Sequence, residues 1–350
     1  MVNINEKNNS TSKGKFTAED LKRLQSGSLN DKIGIAQARI TEFISRTDGK
    51  FYVSFSGGKD STVLAYITAQ CCCLMGNKKL TLWYSDTGLE YPELKKHVKS
   101  YKEFLQNEFP ELEIELVIDY PRNKDGKRIS FKQVIKDYGY PLISKEVADN
   151  VYRARRGRKD AIDRMNGLNP DGTPSSFKKA NVKWKFLLDA PFEISNKCCT
   201  IMKKQPAKKF EKESGLHPII GTMACESANR KTGWLRTGCN AFDSQRISSK
   251  PLSVWLDSDV LEYIVKYHLP YPSVYGDILQ DKNGKYYTTG CDRTGCMYCG
   301  FGCQTEKKFP NRFQRLKQTH PMIWEYCMKP WNEGGLGMKE VLEYINVEIE

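Results

Sequence analysis

The 350-residue chain reads as an α/β protein: a doubly wound parallel sheet carrying a helical insertion and a Cys-rich C-terminal region. Three observations predict this. Short apolar runs at 51–55, 80–84 and 114–118 alternate with helix-length segments, as in strand–helix–strand units that build a parallel sheet. A charged stretch over about 122–190, turn-rich around Asn169-Pro170-Asp171-Gly172, interrupts the alternation. Late in the chain the cysteines gather into pairs.

Taken in order, Met1 to Lys15 is polar and rich in Asn, Lys and Ser, without the apolar core of a signal peptide. It predicts a disordered arm over 1–15 and a cytoplasmic protein. Residues 17–48 read as two helices, with Ile33, Ile35, Ala36, Ile40 and Phe43 near a helical period. A strand over 51–55, a glycine turn and an apolar helix through Val63, Leu64 and Ile67 follow. Leu80 to Tyr84 is a second buried strand ending at Asp86-Thr87-Gly88, then come a helix over about 91–108 and a third strand at 114–118. The sheet resumes at His217 to Gly221, and Asp257 opens a helix through Val260, Leu261 and Ile264. A basic helix around 306–318 and a terminal helix near 338–346 close the chain. The resulting division is an α/β core over 16–125, a basic helical insertion over 126–190, the rest of the core over 191–285 and a Cys-rich, metal-binding and helical region over 286–350. No apolar run approaches the roughly 18–20 residues of a membrane span, so no membrane partner is expected.

The chemistry starts at Ser56-Gly57-Gly58-Lys59-Asp60-Ser61, between the first strand and its helix. A tight glycine turn running into a helix N-terminus aims backbone N–H groups and a positive partial charge at one spot, which suits phosphate. The spacing is not that of the nucleoside-triphosphate P-loop, a glycine, four residues, then Gly-Lys-Ser/Thr. In open sheets ligands bind beyond the carboxyl ends of the strands, and both this loop and Asp86-Thr87-Gly88 fall at such ends.

The six residues resemble the SGGxDS pyrophosphate loop of the ATP pyrophosphatases. With Asp86-Thr87-Gly88, Glu90, Pro92-Glu93 and the later Glu226-Ser227 and Arg230, the chain resembles the phosphoadenosine-phosphosulfate reductase family over roughly residues 30–300. The resemblance implies the adenine-nucleotide α-hydrolase type of fold and an ATP or adenylylsulfate-type nucleotide with Mg²⁺. It implies that Ser56, Gly57, Gly58 and Ser61 hold phosphate, that Lys59 neutralises it, and that Asp60 caps the helix or helps hold Mg²⁺. Asp86, Thr87 and Gly88 would close the nucleotide pocket, and Glu226, Ser227 and Arg230 would form a second anion-binding turn. Lys59, Asp60 and Arg230 are the implied catalytic residues.

Twelve cysteines are many for the cytoplasm, where disulfides are rare, so grouped cysteines point to metal or cluster ligation. Cys198-Cys199 with Lys203 and Pro206 resembles the Cys-Cys-x3-Lys-x2-Pro pattern of the family's iron–sulfur branch, the adenylylsulfate reductases. That likeness pairs them with Cys296 and Cys299 around a 4Fe-4S cluster. Cys291 and Cys303 flank the second pair and are alternative ligands; this local quartet also resembles the DNA phosphorothioation sulfurtransferases, and Zn²⁺ is the alternative metal. Cys71, Cys72 and Cys73 lie on an apolar helix and read as core, and Cys225 and Cys239 as lesser candidates for accepting sulfur.

The reductases attack sulfur with a cysteine in a C-terminal tail, and the last twenty residues here hold none. With the intact loop, this tilts the expectation toward ATP-dependent, adenylating sulfur transfer. The alternative is an adenylylsulfate or phosphoadenylylsulfate reductase releasing sulfite through Cys225, Cys239 or Cys327; the second alternative is a non-catalytic nucleotide-binding protein. The net charge of +13 and the cluster of Arg153, Arg155, Arg156, Arg158 and Lys159, followed by Lys178, Lys179, Lys183 and Lys185, suggest a nucleic-acid acceptor. Tyr152, Phe177, Trp184 and Phe186 interleave with those charges as stacking residues would. The sulfur donor or thiol reductant and the oligomeric state are not encoded in any motif.

Overall fold

A computed structural model describes residues 14–175, 179–306 and 309–349. Most of the expected N-terminal arm (1–13) and Phe177 and Lys178 of the basic cluster lie outside the described residues. The strands in chain order are β1 (Phe51–Ser54), β2 (Lys79–Ser85), β3 (Glu113–Asp119), β4 (Leu142–Ile143), β5 (His217–Ile220), β6 (Asn240–Ala241), β7 (Ser248–Ser249), β8 (Ile278–Gln280), β9 (Tyr286–Thr288) and β10 (Gly300–Phe301). The helices begin with α1 (Ala18–Gln25), α2 (Leu29–Arg46), α3 (Lys59–Leu74) and α4 (Pro92–Glu108). The insertion holds α5 (Phe131–Tyr138), α6 (Lys145–Ala154), α7 (Lys159–Met165) and α8 (Lys179–Val182). Then follow α9 (Lys197–Cys199), α10 (Gln205–Ser214), α11 (Ala228–Thr237), α12 (Asp257–Lys266), α13 (Arg312–Thr319), α14 (Pro321–Met328) and α15 (Met338–Tyr344).

The chain divides into two compact units, each built from separate segments. The first comprises residues 1–84, 92–118 and 211–293. Its six-stranded sheet runs β3-β2-β1-β5-β7-β6, with β2, β1, β5 and β7 parallel in succession and β6 antiparallel to β7. The α/β class and the mainly parallel sheet expected from the sequence are what the chain forms. Val53 pairs with Leu82 on one side and Ile219 on the other, so β1 is central and buried on both faces. The strand order reverses at β1: successive strands step one way through β2 and β3, and β5 then adds on the other side. A crevice opens beyond the carboxyl ends of the strands at such a switch point. β6 and β7 escape sequence reading, being two residues each and carrying Ser248-Ser249 rather than an apolar run.

Local signals set the first unit's helices. Capping boxes Thr17/Asp20 and Ser28/Asp31 open α1 and α2, each side-chain oxygen taking up an otherwise orphaned amide. Helix α3 is buried nearly all round, packing against α2 and α12, and Cys71 and Cys72 are core residues there, as their apolar neighbours predict. A buried ion pair joins Lys32 Nζ of α2 to Asp259 Oδ2 of α12 at 2.6 Å. Asp259 also accepts from the Leu256 amide at 2.7 Å, closing the start of α12.

The second unit comprises residues 85–91, 119–210 and 294–350, with β4 and β10 paired in parallel. Helix α9 runs through a π-helical turn, Thr200–Lys204, into α10; such turns are frequent at functional sites. The basic helix expected over 306–318 is α13, starting only at Arg312 because Pro310 disfavours helix in its predecessor and Asn311 caps the Phe313 and Gln314 amides. The terminal helix ends at Tyr344, ahead of Asn346 in a left-handed conformation (φ 56°).

Candidate nucleotide and thiolate sites

The loop after β1 turns on Gly57, at φ +76°. A side chain there is doubly excluded: a Cβ would sit 2.7 Å from Val98 Cγ2 and 3.1 Å from the Leu94 carbonyl oxygen, both on α4. Ser61 Oγ locks the loop, accepting from the Ser56 amide (3.2 Å), meeting Ser56 Oγ (3.0 Å) and donating to the Gly58 carbonyl (2.9 Å). Gly58 opens α3 without a side-chain cap, leaving the helix N-terminus to other partners. The Lys59 amide donates to the Tyr275 hydroxyl at 3.2 Å. Behind the first turn, Thr62 Oγ1 meets His97 Nε2 at 3.0 Å, and burial lowers that imidazole's pKa to about 4.

Lys59 is 3% exposed, and its ammonium lies 2.7 Å from Asp60 Oδ1 and 2.8 Å from Asp257 Oδ1. Burial alone would lower its pKa, but the two carboxylates more than reverse this and hold it above the ordinary lysine value. Asp60, expected to cap the helix or help hold a metal ion, thus sits in a carboxylate–ammonium–carboxylate array. Beyond β5, Gly221 passes close to the loop, since a Cβ there would be 3.1 Å from the Asp60 carbonyl oxygen.

The second turn belongs to the same unit. Ser227 caps α11 by accepting from the Arg230 amide at 3.3 Å. Glu226 accepts from the Met223 amide (2.7 Å) and pairs with both Arg230 and Arg293. Burial and then the Arg293 charge lower the Arg230 pKa, while the Asp60 carboxylate works the other way. Arg230 therefore lies in the field of the phosphate loop. Cys225, exposed beside it, donates to the Trp255 carbonyl at 3.5 Å; burial and then the Asp257 charge raise its pKa.

Sequence reading missed Asp257, Tyr275 and Arg293. Asp257 was legible only as the start of a helix, and Tyr275 and Arg293 carried no motif.

In the second unit, Asp86 follows β2 directly; it pairs with Arg128 at 3.2 Å and accepts from the Gly88 amide at 3.2 Å. Thr87 is buried, and its hydroxyl donates to Glu90 at 2.8 Å. Buried Glu90 is 3.6 Å from Lys203 Nζ, and the Leu89 carbonyl accepts from the Met297 amide at 2.9 Å. The Asp86–Gly88 turn therefore leans on the cysteine segment of its own unit.

Cys198, Cys199, Cys296 and Cys299 line one small cavity with Lys203 and an apolar wall that includes Leu89 and Phe131. The Cys198 thiol points to Cys199 Sγ at 3.9 Å. That interaction first, then the charges of Lys145, Lys203 and Lys204, hold Cys199 below the ordinary thiol range. Burial pushes Cys299 up to about 12 and raises Cys296. Uncompensated thiolates would be costly here, so the pocket favours a positively charged partner. No three His, Cys, Asp or Glu side chains among the described residues are gathered as around one metal ion. A tetrahedral zinc at about 2.3 Å would hold its sulfurs about 3.8 Å apart, close to the 3.9 Å between Cys198 and Cys199. Four soft thiols on one cavity, with a lysine to offset negative charge, also meet the donor needs of an iron–sulfur cluster. Of the alternates, Cys303 donates to the Gly300 carbonyl at 3.1 Å, and Cys291 belongs to the first unit, where its carbonyl accepts from Thr288 Oγ1 at 3.0 Å.

Three arginines of the insertion's basic cluster are engaged within their unit. Arg155 donates to the carbonyls of Leu187, Leu188, Ala190 and Phe192. Arg153 pairs with Asp149 and Asp160, and Arg156 pairs with Glu193 and stacks on Tyr152 at 3.6 Å.

Residues 160–300 match the family model of the phosphoadenosine phosphosulfate reductase domain. That span includes Cys198-Cys199, Glu226-Ser227, Arg230, Cys296 and Cys299, while Ser56–Ser61 precedes it. Comparison with curated proteins gives no match. Among solved structures, the U34-tRNA thiolase NcsA from Methanococcus maripaludis with its 4Fe-4S cluster is 14% identical, covering 91% of this chain and 82% of that one at a TM-score of 0.36. At that score the likeness carries no argument. No helix among the described residues is long and apolar enough to cross a membrane.

Proposed function

From a chain whose residues 160–300 match the phosphoadenosine phosphosulfate reductase domain, we propose an ATP-dependent sulfurtransferase of the adenylating kind. The observation that carries this is the complete Ser56–Ser61 loop at the switch point, with buried Lys59 between Asp60 and Asp257. A triphosphate has a pyrophosphate to hold and release; the loop's amides, its helix N-terminus and Lys59 suit that leaving group. Asp60 and Asp257 supply carboxylates for the accompanying Mg²⁺. Arg230 and Arg293, brought together by Glu226, supply positive charge, Arg230 within the field of Asp60.

The reaction balances simply. An acceptor oxygen attacks the α-phosphorus, forming an O–P bond as pyrophosphate leaves. A sulfide-level donor then forms a C–S or P–S bond to the acceptor as AMP departs with the oxygen. Cys198, Cys199, Cys296 and Cys299 would hold a 4Fe-4S cluster, which supplies soft iron for binding sulfur. A nucleic acid is the proposed acceptor class, in keeping with the net charge of +13.

The test is pyrophosphate release from ATP in the presence of nucleic acid. Wild type should release it, and Asp60→Ala should lose at least about tenfold, as expected for a group acting on transition-state charge. Wild type inactive with ATP, yet releasing sulfite from adenylylsulfate with a dithiol, would overturn the proposal.

That outcome is the second reading, and one observation favours it. Of the three thiols that could serve a reductase, Cys239 and Cys327 are buried, while Cys225 is exposed within the fields of Asp60, Asp257 and Arg293. Cys225→Ser would then abolish sulfite release.

A further inference from the structure

A groove of about 1030 Å³ lies in the first unit between α2, α11 and the segment over 238–250. Six basic side chains line it, Lys15, Arg39, Arg46, Arg236, Arg246 and Lys250, against two acidic ones, Glu42 and Asp243. Of the carboxylates nearby, Glu42 is engaged with Arg39 and Asn240 and Glu211 with Arg246, while Asp243 is exposed. Arg236 and Lys250 have no ion pair and no side-chain hydrogen bond among the described residues. Burial, and then the charges of Arg246, Arg236 and Arg230, lower the Lys250 pKa; Arg246 and Arg230 have Glu211 and Glu226 as partners, which leaves Arg236 and Lys250 as the two cations without a counter-charge of their own. An arrangement that the protein itself leaves unbalanced is one an anion relieves.

The shape says which anion. The groove reaches the top of the usual range of small-ligand pockets, roughly 300–1,000 Å³, and its cations are spread along it rather than focused on one point. That suits repeated phosphates. Two half-buried rings, Phe16 and Phe242, also line it; Phe242 stacks on Phe43 at 5.7 Å and carries the Arg46 guanidinium plane at 3.7 Å, and Phe16 packs on Trp234 with centroids 5.0 Å apart. Unpaired bases stack on such rings and guanidinium planes, whereas bases within a duplex hide their faces. Helix α11 joins the two features: Arg230, near its start, acts electrostatically on both Lys250 and Asp60.

We propose that this groove binds a segment of single-stranded nucleic acid and leads it toward the phosphate loop. As a route for the sulfur acceptor, this rests on the function proposed above; strand binding itself does not.

The test uses the full chain and a fluorescent 12-nucleotide single strand of mixed sequence, as RNA and as DNA, followed by anisotropy over a salt series. Wild type should bind one or both, the comparison identifying which. Arg236→Ala/Lys250→Ala should bind at least about tenfold more weakly, and lose about 1.4 from its log–log salt slope if each residue meets one phosphate at about 0.7 per contact. Arg236→Lys/Lys250→Arg, which keeps both charges, should restore binding and so separates lost contacts from misfolding. Absence of strand binding by wild type would overturn the proposal, as would unchanged binding by the alanine variant or equal binding of a duplex. Wild-type pyrophosphate release, measured separately, distinguishes the failures. Strand binding without ATP use leaves the groove standing and removes the sulfurtransferase; ATP use with binding indifferent to these residues does the reverse.

Discussion

At the scale of single residues, the phosphate loop is a problem of space and charge. Gly57 is confined by α4 as well as by its positive φ, so the turn and the helix behind it are specified together. His97 stands just behind α3, 6% exposed, with burial holding its pKa near 4 against an ordinary 6.5. Between those values the unfolded chain binds the extra proton and the folded one does not, so stability falls as pH drops through the window. The loss should begin below about pH 6.5 and approach about 3 kcal/mol near pH 4. Urea midpoints of wild type and His97→Gln between pH 7 and 4.5 check this. The variant should show a shallower decline, and identical slopes would contradict the assignment.

At the scale of elements, the insertion shows how part of a basic segment serves its own fold. In sequence, Arg153 to Lys159 resembles a nucleic-acid patch; in the fold, Arg155 ties α6 to four carbonyls between Leu187 and Phe192. One guanidinium satisfies that many acceptors because its donors are rigid and fanned. Arg155→Ala should destabilise by about 3 kcal/mol, and Arg155→Lys should recover only part. Hydrogen exchange should localise the loss to α6 and 185–192; a uniform effect, or none, would count against this role. The π-helical turn after α9 is an element of another kind, setting Cys198, Cys199 and Lys203 around one cavity within a few residues.

At the scale of the whole molecule, what was legible in sequence follows from what is local. The strand, glycine turn and helix at 51–74 are contiguous, and the sheet class follows from the alternation of such units. Cys198-Cys199 and Cys296-x2-Cys299 were legible as pairs because their spacing is itself the signal. Asp257 was not legible as a partner of Lys59, since 198 residues separate them and only the sheet's folding brings them to 2.8 Å. Tyr275 and Arg293 were hidden for the same reason. The six cations of the groove come from Lys15 to Lys250, too dispersed to form a cluster in sequence. For the cysteines, anaerobically purified protein should carry about four irons and four sulfides per chain. Cys199→Ser or Cys296→Ser should lose most of both; stoichiometric zinc without iron would replace the cluster with a structural metal.

The central claim is that the intact loop serves ATP, so nucleotide choice tests it most directly. ATP and adenylylsulfate should be offered in parallel to iron-loaded protein with nucleic acid, a sulfide-level donor and a dithiol, with pyrophosphate and sulfite both measured. The account predicts pyrophosphate from ATP, loss of at least about tenfold in Asp60→Ala, and no sulfite from adenylylsulfate. Sulfite from adenylylsulfate with no pyrophosphate from ATP would contradict it.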